Sequence, residues 1–218
     1  MKTNLYIVRE IEPLTTDSTV KEAQIHFNEL TYTHFPIVKD GVYLGCVSEA
    51  DIRCYESDKK LSEYQYALEH FFARENDNWL DILESFAQNQ SNIIPVLDDD
   101  NKYLGFFELS DIMNFFNDTP FLSEPGNVLI VEKGAMDYSF SEIAQIVESN
   151  NAKILGLFIS KLEYDVAEIT VKISDADINN IVQTFRRYSY NIVSKHQEDT
   201  FLENLKERSK YLDKYLNM

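Results

Sequence analysis

Ser48 and Asp51 stand three residues apart in Gly45-Cys46-Val47-Ser48-Glu49-Ala50-Asp51-Ile52, where a short apolar run gives way to a helical pattern. A Ser-x-x-Asp pair at a helix start sets a hydroxyl and a carboxylate beside backbone amides that no helical carbonyl satisfies. The plainest use of such a pair is structural, with Ser48 as the helix cap and Asp51 as a partner of the helix dipole. Other chemistry is poorly provided for. His26, His34, His70 and His196 are dispersed, and none forms a metal-type pair with a cysteine or carboxylate. Asp98-Asp99-Asp100 lacks the following glycine and the distant glutamate of a calcium loop and reads as a solvated turn. No nucleophile elbow or P-loop is present, and six glycines leave no phosphate cradle, so the sequence does not read as an enzyme.

The elements that carry the pair occur twice. Tyr43-Leu44-Gly45 with Asp51-Ile52 returns as Tyr103-Leu104-Gly105 with Asp111-Ile112, an offset of 60 (111 − 51). Upstream the offset is 59, pairing Pro36 with Pro95, Val38 with Leu97 and Val20 with Trp79. The change falls where Lys39-Asp40-Gly41 faces Asp98-Asp99-Asp100-Asn101, a hairpin turn that absorbs one residue. In the first copy Asp17 or Ser18 is expected to cap a helix through Val20, Ala23, Phe27 and Leu30. Phe35-Pro36-Ile37-Val38 and Tyr43 to Val47 then form a hairpin, and Ser48 opens the next helix. In the second, Phe71-Phe72-Ala73 is a strand and Asp77 or Asn78 a cap. Leu80, Leu83 and Phe86 form the apolar face, with Trp79 on a buried side, and Ile93 to Leu97 with Tyr103 to Phe107 form the hairpin. Each copy reads strand–helix–strand–strand–helix, and one alone exposes too much apolar sheet, so the two should pack together.

The Pro- and Gly-bearing stretch Asn117 to Asn127 marks a domain boundary. Beyond it come a strand at Val128 to Val131, a helix at Ser141 to Ser149 and a hairpin of Ile154 to Ser160 with Ala167 to Ile173. A helix capped by Asp175 or Asp177 and a strand at Tyr190 to Ser194 complete the order βαββαβ of a ferredoxin-like sandwich. Leu202, Leu205, Ser209, Leu212 and Leu216 then trace a short heptad seam, a C-terminal amphipathic helix that should dock on something. The expected divisions are 1–60 and 61–118 for the copies, 119–126 for a linker, 127–197 for the ferredoxin-like domain and 198–218 for the terminal helix. The fold class is α+β.

A net charge of −17 repels phosphate backbones and argues against a broad nucleic-acid interface. No window reaches the roughly 18–20 apolar residues of a membrane span. Arg9 and Glu10 interrupt the apolar start, unlike a secretory leader. Cys46 and Cys54 read as reduced thiols, and the expected location is the cytoplasm.

The two copies resemble CBS (cystathionine-β-synthase-type) motifs, in which a Pro-Val-like strand precedes a Gly-h-h-Ser/Thr-x-x-Asp segment. Here these are Phe35-Pro36-Ile37-Val38 with Gly45 to Asp51, and Ile94-Pro95-Val96 with Gly105 to Asp111. The remainder is similar to an ACT-type regulatory domain, and the combination to the acetoin-utilisation-type CBS proteins. The resemblance implies a Bateman-type module whose clefts bind adenosine-containing ligands: AMP, ADP, ATP or S-adenosylmethionine as regulatory ligands, with no cofactor required. It implies a ribose on Asp51 or Asp111 and a phosphate near Ser48, with Phe35, Pro36, Ile37 and Pro95 offering backbone groups and an apolar wall to the base. Glu108 replaces Ser48 in the second copy, which disfavours a phosphorylated ligand there, so one working cleft on Ser48 and Asp51 is expected. Arg53, Lys39 and Arg74 are the candidate cations for a polyphosphate. The loop Lys133 to Ser139 lacks the Pro-Gly turn of ACT ligand loops. Asp137 is there a candidate for an α-amino group or for a helix cap, and ACT pairing points to a homodimer. The expected role is a regulatory sensor with an effector protein the sequence does not identify. The alternative is a ligand-free scaffold that dimerises.

Overall fold

Apolar residues at helical spacing, followed by paired β-branched runs, fold each copy into the same unit. In a computed structural model, which describes residues 3–194, the first comprises β1 (Leu14–Thr15), α1 (Val20–Glu29), β2 (His34–Lys39), β3 (Val42–Ser48) and α2 (Glu49–Cys54). The second comprises β4 (Ala73–Arg74), α3 (Trp79–Asn89), β5 (Ile93–Leu97), β6 (Tyr103–Glu108) and α4 (Leu109–Asn117). Each makes a three-stranded sheet with its first strand parallel and its hairpin antiparallel, in the orders β1-β2-β3 and β4-β5-β6. Positions 41–50 and 101–110 follow the same sequence of exposed, half-buried and buried residues.

Several local expectations are corrected. Thr19, not Asp17 or Ser18, caps α1, in a reciprocal box: its hydroxyl accepts from the Glu22 amide and the Glu22 carboxylate accepts from the Thr19 amide. Asn78 caps α3, and its buried face is Ile82 and Phe86, while Leu80 is exposed. The fourth strand is Ala73–Arg74, with Phe71 buried beside it and Phe72 turned outward. Trp79 is half-buried and packs against the second core.

Packing does not follow the chain boundary between the copies. Glu69 exchanges both backbone hydrogen bonds with Cys46 on β3, and Val8 does the same with Phe106 on β6. Leu61 and Leu68 belong to the first core and Ile7 to the second. The prolines make room for this exchange. Pro36 lies opposite Cys46, and Pro95 opposite Phe106, so the missing proline N–H leaves no ladder bond broken while the opposite residue turns its backbone outward. Gly45 and Gly105, at φ +149 and +138, permit the close approach.

The chain divides into two compact units at Asn117/Asp118. The second contains α5 (Pro120–Ser123), β7 (Gly126–Gly134), α6 (Phe140–Ser149), β8 (Ile154–Glu163), β9 (Val166–Ser174), α7 (Ile178–Arg187) and β10 (Asn191–Ile192). Its antiparallel sheet has the order β10-β7-β9-β8, the ferredoxin-like arrangement expected from βαββαβ. Leu129, Val131, Ile143, Ile146, Ile169, Val171 and Phe185 fill its core. The β8–β9 hairpin runs past the expected ends because Tyr164 and Asp165 turn it at φ 48 and 63, a tight turn without its usual glycine or asparagine. The stretch expected as a linker holds α5 and the opening of β7. The seam at 198–218 lies outside the described residues.

Candidate functional site

Ser48 is the cap of α2, accepting the Asp51 amide at 3.2 Å, and its hydroxyl donates to Asp51 Oδ2 at 2.7 Å. The two candidate residues are thus brought together and satisfy one another. Both are half-buried.

Ser48 also lines an open cleft of about 500 Å³, within the size range of small-molecule sites. Thr33, His34, Glu49, Ala50 and Glu69 also line it, together with Gln88 to Gln90, the last turn and cap of α3. His34 is buried, with Nδ1 2.9 Å from the Thr33 hydroxyl and Nε2 3.4 Å from the Glu69 carboxylate. Thr33 also joins the seam between repeats. The Thr33 amide donates to Asn92 Oδ1 at 2.9 Å, and the Asn92 amide donates to Thr33 Oγ1 at 3.1 Å, two residues related by the repeat.

The equivalent place in the second repeat is occupied by a tyrosine–carboxylate pair. Tyr32 donates its hydroxyl to Glu108 at 2.5 Å, and its ring packs edge-on against Phe35 and Phe106. Burial, and then the Glu108 carboxylate, push the Tyr32 phenol well above its ordinary range. Asp111 is raised above its usual carboxylate value, first by burial and then by Glu108. The counterpart of Tyr32, 59 residues on, is Ser91, a small side chain folded onto its own backbone: it donates to Ile93 O at 2.6 Å. By the repeat, this serine stands where the twin position carries a tyrosine.

Other candidates fall elsewhere. Phe35 and Ile37 are fully buried in the first core, and Pro36 and Pro95 are buried mid-strand, so none of these side chains lines the cleft. Arg74 donates to the Asp98 carbonyl and to Asn101 Oδ1 and lies over the Phe72 ring, which ties it to the second hairpin. Arg53 pairs with Glu49 at 2.5 Å, and Lys39 is exposed at the end of β2. Cys46 is enclosed, accepting from Tyr43, and burial pushes its thiol up to about 12; Cys54 is exposed. In the second unit Asp137 folds over Gly134, and Ser139, not Asp137, caps α6. Lys133 bridges to Glu142 at 2.7 Å and sits over Tyr190. Sequence reasoning missed Thr33, His34, Glu69 and Gln88 to Gln90, and the one signal available was the Tyr32/Ser91 difference between the copies.

The CBS-domain family model matches residues 5–58 and 68–118. An uncharacterized protein of Methanocaldococcus jannaschii is 23% identical over 114 residues, 52% of this chain and 43% of the relative, so the match spans less than half of that protein's length. Among solved structures, a CBS domain pair/ACT domain protein from Thermotoga maritima superposes with a TM-score of 0.49 at 21% identity, covering 53% of this chain and 96% of the other. The protein CBSX2 in complex with AMP gives 0.44 at 16% identity, covering 53% and 95%.

Proposed function

With residues 5–58 and 68–118 a tandem pair of CBS domains, we propose that this protein is a regulatory sensor that binds one adenosine-containing metabolite in the Ser48 cleft. The observation that carries this reading is the asymmetry of the pair, an open 500 Å³ cleft at Ser48 and a twin position filled by Tyr32 and Glu108. Asp51, which stands behind the cleft-lining Ser48 and holds its hydroxyl, keeps a second carboxylate oxygen for a ribose, and Gln88 to Gln90 line the cleft with Ser48. A ligand held between the repeats bridges α2 and the end of α3, and so favours one setting of the Thr33–Asn92 seam over others. A homodimer through the ferredoxin-like unit, relaying that change to an effector protein in the cytoplasm, completes the proposal. Among the described residues no helix is long and apolar enough to cross a membrane.

The second reading, a scaffold that binds no ligand, is favoured by the closed Ser48–Asp51 hydrogen bond. Thermal unfolding with AMP, ADP, ATP and S-adenosylmethionine separates the two, on the wild type and on Asp51→Ala. A ligand at 100 times its dissociation constant stabilises by about 2.7 kcal/mol, and Asp51→Ala is expected to remove the shift. A flat response to every compound supports the scaffold.

A further inference from the structure

The charge around the cleft narrows the ligand further, on the reading that an adenosine compound binds there. Two carboxylates, Glu49 and Glu69, line it, and among the described residues no lysine or arginine does. It is lined as well by the C-terminal turn of the eleven-residue α3, the negative end of that helix. The start of α2 offers little to an anion. Helix α2 has six residues, its Glu49 amide already donates to Thr33 O, and its Asp51 amide to Ser48 Oγ. The Ser48 hydroxyl proton is directed at Asp51. Arg53 does not repair the balance: it holds Glu49 from the neighbouring groove beside Gln24, Phe27 and Ile52, with most of its side chain in water. His34 is the remaining cation candidate, and it already faces Glu69 at 3.4 Å.

A phosphate placed here would meet two carboxylates and a helix C-terminus with few free donors. A positive group would meet the same surroundings as partners. We infer that this cleft selects adenosine compounds bearing a sulfonium or ammonium charge over adenosine compounds bearing phosphate.

The test is calorimetric titration at fixed ionic strength with adenosine, AMP, S-adenosylhomocysteine and S-adenosylmethionine. The last two differ by one methyl group and its sulfonium charge. Both carboxylates are partly exposed, so the expected preference is modest: the sulfonium compound about fivefold tighter than its neutral thioether, and AMP weaker than adenosine. Glu49→Gln/Glu69→Gln should erase the sulfonium preference and raise AMP affinity. Should that variant misfold, the wild type suffices, because added salt should weaken S-adenosylmethionine and strengthen AMP. AMP binding tighter than adenosine, or a sulfonium preference that survives both the double variant and salt, overturns the inference while leaving the sensor reading intact. Binding by none of the four compounds overturns both.

Discussion

The two repeats share a backbone, a burial pattern and a crossing segment, yet one presents a cleft and the other a filled seam. Two substitutions against the repeat account for the difference. Where the first copy has Ser48 the second has Glu108, and where the second has Ser91 the first has Tyr32. Because each repeat's helix end faces the other repeat's hairpin, Tyr32 of the first copy closes on Glu108 of the second, and both departures act on one cleft. A duplicated module can therefore differ at one of two equivalent places without altering its fold. The core positions that hold the fold and the positions that line the cleft are different residues.

The largest effect is expected at the shared glycines, where the comparison should hold in kind and differ in size. A Cβ at Gly105 would drive into the Val8 carbonyl, whereas at Gly45 it meets Leu68 Cβ at 2.8 Å and the Glu69 carbonyl at 3.0 Å. Gly105→Ala should cost about 3 kcal/mol in denaturant unfolding and Gly45→Ala about 1–2 kcal/mol. Equal losses would mean that the two crossings are equally tight.

The second expectation breaks the asymmetry itself. Tyr32→Ser/Glu108→Ser restores to the closed cleft the residue types of the open one. It should raise ligand stoichiometry in calorimetry from one to two per chain, at a stability cost of about 1.5–3 kcal/mol for the lost hydrogen bond to the charged group. Stoichiometry that stays at one would place the closure in other residues. Asp51→Ala should abolish binding at the open cleft, as the thermal panel reads.

The smallest effect concerns Asp111. Its folded carboxyl is raised above 3.8 by burial and Glu108, so the folded state takes up a proton at higher pH than the unfolded chain does. Its charged form therefore lowers stability at neutral pH, and that penalty lifts as pH falls through the raised value. Glu108→Gln should move the Asp111 titration, followed by carboxyl NMR, part of the way back toward 3.8. The shift should remain partial, because burial is the larger cause and stays. An unmoved titration would remove Glu108 from the account.

Both hairpins, both helix pairs and the ferredoxin-like order were legible because each rests on local periodicity: alternate burial along a strand, spacings of three and four along a helix. The helix caps were legible only to within a few residues. Asp17, Ser18 and Thr19 all have capping side chains, and the geometry of the first turn chose the one whose partner Glu22 lies three residues on. Leu80 was misplaced because apolar type does not decide which face of a helix meets the sheet. The β8–β9 turn was hidden because Tyr164 adopts a left-handed conformation that such turns usually give to glycine, asparagine or aspartate.

The sequence by itself determined the duplication, the strand–helix order of both units and the Ser48–Asp51 pair, since these depend on residues near one another along the chain. Only the tertiary structure decided that residues 7–8 and 68–70 cross to the hairpins of the opposite copies, that Tyr32 meets Glu108, and that Gln88 to Gln90 face Ser48. Those contacts join segments 23 to 98 residues apart, and no local preference encodes them. They follow from burying two apolar sheet faces at once, which brings the ends of one repeat's helices over the other repeat's hairpin.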